Sequence, residues 1–209
     1  MSPPGRALRL QSRLGLRRVW PCSSAPLAAA TLYLLFATLL PFREPGLHYD
    51  EAVFLHGAVH MLTSRAEPTF AHDRGSWIRL ADRYWPLMVL PYAGSTKAYL
   101  SVVPFAAFGP STHVARLLST LMGAFGVYGM ARLVEAQLGS RIAVAVGLAI
   151  AINPSYIAQT VYDRSGIALW MACLGVQSLV LIRYLRRRTA FSAFCFGIAI
   201  GLAVWGRVN

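Results

Sequence analysis

Residues 27–51 read LAAATLYLLFATLLPFREPGLHYDE, an apolar run that ends shortly before two adjacent carboxylates, Asp50 and Glu51. The chain has only eight acidic residues among 209, and its composition is 56% hydrophobic and 13% charged. A soluble domain usually carries about 25% charged residues. The stretch and the composition together predict an all-α membrane protein in which an acidic pair follows the first hydrophobic segment.

The basic residues give the chain a formal charge of +12. They cluster between apolar runs, which is typical of cytoplasmic loops and argues against nucleic-acid binding. Residues 1–24 contain five arginines, and the apolar run after them lacks the small residues of a signal cleavage site. We therefore expect a basic cytoplasmic tail over 1–24 and an uncleaved first membrane helix over 25–42.

Further apolar runs predict a multi-pass helical bundle. They cover about 98–109, 112–134, 141–158, 165–182 and 190–206. Because a crossing needs about 20 residues, the short run 98–109, which contains Pro104, is interpreted as an interfacial or re-entrant helix. The arginine-rich segment 183–189 is then cytoplasmic, in agreement with the positive-inside rule. This count predicts about five spanning helices in an inner (plasma) membrane, with interfacial helices in the first external loop.

The predicted topology places three acids on one external face: Asp50, Glu51 and Asp163. Apolar residues at helical spacing indicate that a helix begins at Asp50, so this carboxylate has a structural alternative as a helix cap. An acid beside apolar helices usually lines a cavity or pairs with a base. For Asp163 the local alternative is a salt bridge to Arg164.

Two cations are expected on the same face. Lys97 is the chain's single lysine, and it either binds a phosphate or extends its ammonium to the water interface. Arg116 begins the next spanning helix and has an alternative role as an interfacial anchor. The spacing of His56 and His60 suits a metal, but no HExxH or paired-cysteine motif accompanies them.

The order of these motifs resembles the N-terminal part of a GT-C fold glycosyltransferase, the class that includes protein O-mannosyltransferases and the aminoarabinose transferase of lipid A. The motifs are HYDEAVF, GSTKAYLSVVPFAAFG, STHVARLLSTLMGAFGVYG and VYDRSG, and the resemblance covers about 25–209. It implies that Asp50 is catalytic and that Lys97 binds lipid phosphate. PYAGSTK stands where the mannosyltransferases have a proline-rich motif, which leaves the donor sugar and the acceptor open.

Transfer of a sugar from a polyprenyl phosphate needs a base for the acceptor proton and cations for the leaving phosphate. We expect Asp50 to be the base, with a smaller contribution from Glu51. Lys97 and Arg116 then clamp the phosphate, and Asp163 orients the site. Alternatively, Asp50 and Asp163 hold a divalent cation with the phosphate. The predicted partners are a polyprenyl-phosphate sugar and a lipid or glycan acceptor. The rival interpretations are a transporter or channel and a non-catalytic membrane subunit.

Overall fold

The computed structural model describes residues 23–39, 46–63, 76–90 and 93–206. The helices are α1 Ala25–Leu39, α2 Tyr49–Thr63, α3 Thr96–Phe108, α4 Thr112–Leu138, α5 Ser140–Ala151, α6 Pro154–Val161, α7 Ile167–Arg187 and α8 Ala190–Gly206. The strands are β1 Ser76–Leu80, β2 Arg83–Leu90 and β3 Ala93–Gly94, and a 3₁₀ turn covers Arg164–Gly166.

Two of the described helices, α4 and α7, are long and apolar enough to cross a membrane. The pair α5 and α6 is a third candidate if it is counted as one bent span. Helices α1 and α8 have 15 and 17 residues and are shorter than the about 20 residues of a usual crossing. The prediction of a mostly helical protein is confirmed, and two to three of the five predicted spans are candidates for crossing a membrane by their length and composition in the described residues.

The predicted continuous helix over 141–158 is wrong, because the chain bends by 61° between α5 and α6. Pro154 is the first residue of α6, a position where its missing N–H does no harm, but it cannot continue a preceding helix. The side chain of Asn153 accepts hydrogen bonds from the backbone N–H groups of Ser155 and Tyr156, at 3.0 and 3.1 Å. The new helix is therefore capped where the old one ends.

The first loop contains one predicted helix, α2, and a small antiparallel sheet that the all-α prediction missed. The strand order is β1-β2-β3, and the two-residue turn between β1 and β2 places Ala81 at φ 56°. Residues 76–90, SWIRLADRYWPLMVL, are rich in the aromatic and branched side chains that favour strands. The prediction of only helices in this loop is therefore wrong for the described part.

Helix α4 is the central element of the bundle, and its glycines allow α7 to approach closely. A Cβ atom added to Gly126 would lie 2.8 Å from the carbonyl oxygen of Met171, and one added to Gly129 would lie 2.6 Å from that of Gly175. Such close backbone contact is typical of membrane helices that pack through small residues. Gly126 meets Met171, and Gly129, further along α4, meets Gly175, further along α7. The two helices therefore run parallel.

Hydrogen bonds in the middle of the bundle join three helices. The hydroxyls of Tyr33 in α1 and Thr160 in α6 lie 2.6 Å apart. The Tyr156 hydroxyl donates to the carbonyl of Gly123 in α4, at 2.8 Å. None of these three hydroxyl groups was among the residues singled out from the sequence. This network fixes α6 against the middle of α4.

Candidate functional site

Four of the five predicted site residues pair with one another where α4 begins, and Asp50 precedes one of them directly in the chain. We call this region the site end. It comprises Asp50, Glu51, Lys97, Arg116, Tyr162 and Asp163. These residues come from the first turn of α2, the first turn of α3, the second turn of α4 and the connection between α6 and α7. The end of α4 that contains Glu135 is called the far end.

Arg116 is fully buried at the site end. Its Nη2 lies 3.3 Å from Oε2 of Glu51, whose side chain is only 1% exposed, and donates to the carbonyl oxygen of Gly46 at 2.9 Å. The guanidinium carbon lies 4.9 Å from the ring centroid of Tyr162, which adds a cation–π contact. Arg116 is therefore held by an acid and an aromatic ring, and its interpretation as an exposed interfacial anchor is wrong.

Glu51 also caps helix α2. Its carboxylate accepts the backbone N–H of His48, the residue before the helix, at 2.9 Å. A glutamate in the third helical position that reaches back in this way is half of a capping box. Asp50 occupies the second position and is half-buried. The two adjacent acids therefore have different environments, since Glu51 lies inside an ion pair and Asp50 keeps contact with solvent.

Lys97 and Asp163 form the second buried ion pair, with side chains 1% and 0% exposed. The other carboxylate oxygen of Asp163 accepts the backbone N–H of Ala168 at 2.7 Å. Asp163 thereby joins the start of α3 to the start of α7. Two local interpretations are wrong: Lys97 does not extend to the interface, and the partner of Asp163 is not Arg164, which is exposed.

Asp163 adopts a left-handed backbone conformation, with φ 41° and ψ 45°, which aspartate tolerates better than most residues. Burial raises the pKa of the Asp163 carboxyl, whereas the Lys97 ammonium and the Ala168 N–H oppose that rise. The negative charge of Glu51 raises the same pKa further. The two ion pairs are thus close enough to interact, and their charges balance.

The far end contains a buried acid that the sequence analysis missed. Glu135 is 1% exposed and accepts hydrogen bonds from Arg132 and from Ser23, the residue two positions before α1. The signal in the sequence is the spacing of three residues between Arg132 and Glu135, which places them on one helical face. Tyr162 was also missed, because nothing in the sequence distinguishes it from an interfacial tyrosine.

Aromatic side chains surround the start of α3 beside Lys97. The ring of Tyr99 stacks on that of Trp85 from β2, with a centroid distance of 6.4 Å. The ring of Trp205 from α8 also contacts Tyr99, with a centroid distance of 6.3 Å. The Tyr99 hydroxyl donates to the carbonyl of Pro86 at 2.7 Å. These contacts bring the sheet and the last turn of α8 to the site end.

The described residues contain no group of three or more His, Cys, Asp or Glu side chains arranged to hold a metal ion. His56 and His60 instead pack against the ring of Trp77, at centroid distances of 6.2 and 5.0 Å. His72 lies outside the described residues. The predicted divalent cation would therefore need ligands from a bound phosphate in addition to Asp50 and Asp163. Comparison of the chain with family models, curated proteins and solved structures finds no match.

Proposed function

We propose that this chain belongs to a membrane glycosyltransferase that moves a sugar from a polyprenyl-phosphate donor to a lipid or glycan acceptor. One observation supports the proposal above all. The ionisable residues of the site end come from segments far apart in the sequence, and they collect beside apolar helices. Buried charges are costly to desolvate, so two buried ion pairs beside a half-buried acid suit a site that handles charged substrate groups.

In this proposal Asp50 is the general base. It is half-buried, whereas the side chains of Glu51 and Asp163 are 1% and 0% exposed. A base must receive a proton from an acceptor hydroxyl, so it needs access from outside the protein. Asp50 meets that need best among the three acids, and Glu51 contributes less because its carboxylate holds Arg116 and caps α2.

Lys97 and Arg116 bind the donor phosphate in this proposal, and the two buried acids position them. Each cation is paired with a carboxylate, so a phosphate binds by opening the pair or by joining it. Charge-assisted hydrogen bonds from ammonium and guanidinium groups to phosphate are strong. They stabilise the charge that grows on the leaving phosphate. Asp163 and Glu51 keep the cations in place before the donor arrives.

The proposed topology has five crossings, with the N-terminus cytoplasmic and the site end on the external side of an inner (plasma) membrane. The order of contacts supports it. Ser23 lies at the far end, through its bond to Glu135, and α7 runs parallel to α4 toward the same end. The arginine-rich end of α7 thus lies on the side that the positive-inside rule assigns to the cytoplasm.

Two other functions each have one supporting observation. A transporter is favoured by the broken pair α5 and α6, since discontinuous helices are frequent at transport sites. A non-catalytic subunit is favoured by the balanced charges of the two ion pairs, which act as structural links between helices. In both cases Asp50 has no role in transfer chemistry.

The test is Asp50→Asn in the complete enzyme, assayed with a polyprenyl-phosphate-linked sugar. Asparagine keeps the size and the capping ability of aspartate but cannot take a proton. Because general-base assistance is worth about 10²–10⁴-fold in rate, we expect transfer to fall by at least about 100-fold with an unchanged unfolding temperature. The matched control is Asp82→Asn, whose side chain is 81% exposed in the β1–β2 turn. Full transfer activity in Asp50→Asn would remove the catalytic role.

A further inference from the structure

Helix α6 exposes a polar face, unlike helices α4 and α8. Ile157, Thr160 and Val161 are buried, while Ser155 and Gln159 are exposed. No large hydrophobic side chain of α6 is exposed. The exposed faces of α4 and α8 are apolar by contrast, with Leu117, Leu121 and Phe125 on α4 and Phe191, Phe194 and Ile198 on α8. The apolar faces of α4 and α8 can contact lipid chains without leaving polar groups unbonded, whereas the polar face of α6 cannot.

The polar face lies at a level within the span of α4. The Tyr156 hydroxyl bonds to the carbonyl of Gly123, which is seven residues, or about 10 Å of helix, beyond Arg116. The distance along α4 from Arg116 to Glu135 is about 28 Å by the same rise, close to the about 30 Å thickness of a bilayer's hydrocarbon core. Ser155 and Gln159 flank Tyr156 in α6, so they lie below the site end and inside that thickness.

Hydrogen bonds within the polar face do not satisfy all of its donors and acceptors. The side-chain amide of Gln159 donates to the hydroxyl of Ser155 at 3.2 Å. The amide group has a second N–H and a carbonyl oxygen, for which the described residues provide no bond. Polar groups in hydrocarbon without such bonds are costly. Some polar medium therefore covers this face.

We infer that the exposed face of α6 borders a water-filled groove that enters the bundle from the site end and reaches the level of Gly123. Water is the occupant that fits, because the exposed groups are neutral donors and acceptors rather than an apolar or charged surface. The 61° bend before α6 turns this helix away from the line of α5. The inference depends on α4 spanning a membrane, and it does not depend on sugar transfer.

The test uses single cysteines in a cysteine-free variant of the complete protein, in which serine replaces each native cysteine, Cys22, Cys173 and Cys195 included. Ser155→Cys and Gln159→Cys are compared with Leu121→Cys, which lies two residues from Gly123 on α4 and is 50% exposed in the parent protein. Sealed vesicles are treated with a charged, membrane-impermeant methanethiosulfonate. The reagent needs a thiolate in contact with water, so we expect modification at 155 and 159 to be at least about 10-fold faster than at 121.

Equal rates at all three positions would contradict the groove. If modification is equally slow at all three positions, lipid or another protein segment covers α6. If it is equally fast at all three, positions 121, 155 and 159 all lie outside the hydrocarbon core. Only variants that elute in detergent like the parent protein are compared. If Ser155→Cys does not fold, Gln159→Cys decides the outcome.

Discussion

The two ends of helix α4 both bury an acid paired with a cation, but they do so in different ways. At the far end, Glu135 binds Arg132 three residues away on the same helix. At the site end, Arg116 binds Glu51 across 65 residues, and Lys97 binds Asp163 across 66. A local pair is an ordinary device for holding a helix end. Two long-range buried pairs require several segments to be ordered around them, and this difference supports the proposal that the site end is the functional one.

Energetics sharpen the comparison. A buried ion pair is often no more stable than well-packed apolar residues in its place, whereas removal of one partner is strongly destabilising. The fold therefore has no need of two such pairs at the site end. In the proposed enzyme their use is to keep an ammonium and a guanidinium ready for a phosphate.

The largest loss of stability is expected for Asp163→Asn. The change keeps the size of the side chain and an oxygen for the Ala168 N–H, but leaves the buried Lys97 ammonium without its counter-charge. Loss of one partner from a buried pair costs about 3–5 kcal/mol. Thermal unfolding in detergent measures it.

A second variant separates structure from function at the same pair. Lys97→Met combined with Asp163→Asn removes both charges, so most of the stability should return. Affinity for the polyprenyl-phosphate donor should stay low, as in Lys97→Ala, whereas Lys97→Arg should partly keep it. Normal donor affinity in the double variant would show that the pair only links helices.

A smaller loss is expected between the two ends, where α4 packs against α7. A methyl group at position 129 would meet the backbone of Gly175, and backbone cannot move aside as a flexible side chain does. Gly129→Ala should therefore destabilise the protein by about 1–3 kcal/mol, the usual range for overpacking. Gly197→Ala in α8 is the matched control, since a Cβ atom there has nothing within 4 Å. Equal stability of the two variants would contradict the close α4–α7 contact.

The sequence predicted the helices better than the contacts between them. Hydrophobic runs gave α4, α7 and α8 nearly at their observed bounds, because length and apolar composition are local properties. The residues Asn153 and Pro154 are a local signal for the break before α6. The long apolar segments on both sides made the region look like one continuous helix. The strands of the first loop were missed because a short aromatic segment is ambiguous between helix and strand.

The sequence predicted every member of the site end except Tyr162, but it did not predict which members pair. Topology alone places Lys97, Arg116 and the acids on one side. Which cation meets which acid depends on how α2, α3 and α4 pack, and local patterns such as hydrophobic runs and charge spacing do not show that packing. Arg164 is the nearest base to Asp163 along the chain, but Asp163 pairs with Lys97 in the folded protein.

The most direct test compares the two ends in one experiment, with Asp50→Asn and Glu135→Gln in the complete enzyme. Sugar transfer per folded molecule and unfolding temperature are measured for both. For Asp50→Asn we expect transfer to fall by at least about 100-fold at normal stability. For Glu135→Gln, which weakens hydrogen bonds to a charged group, we expect a loss of about 1–3 kcal/mol in stability and normal transfer per folded molecule. The reverse pattern, with transfer kept in Asp50→Asn and lost in Glu135→Gln, would contradict the assignment of function to the site end.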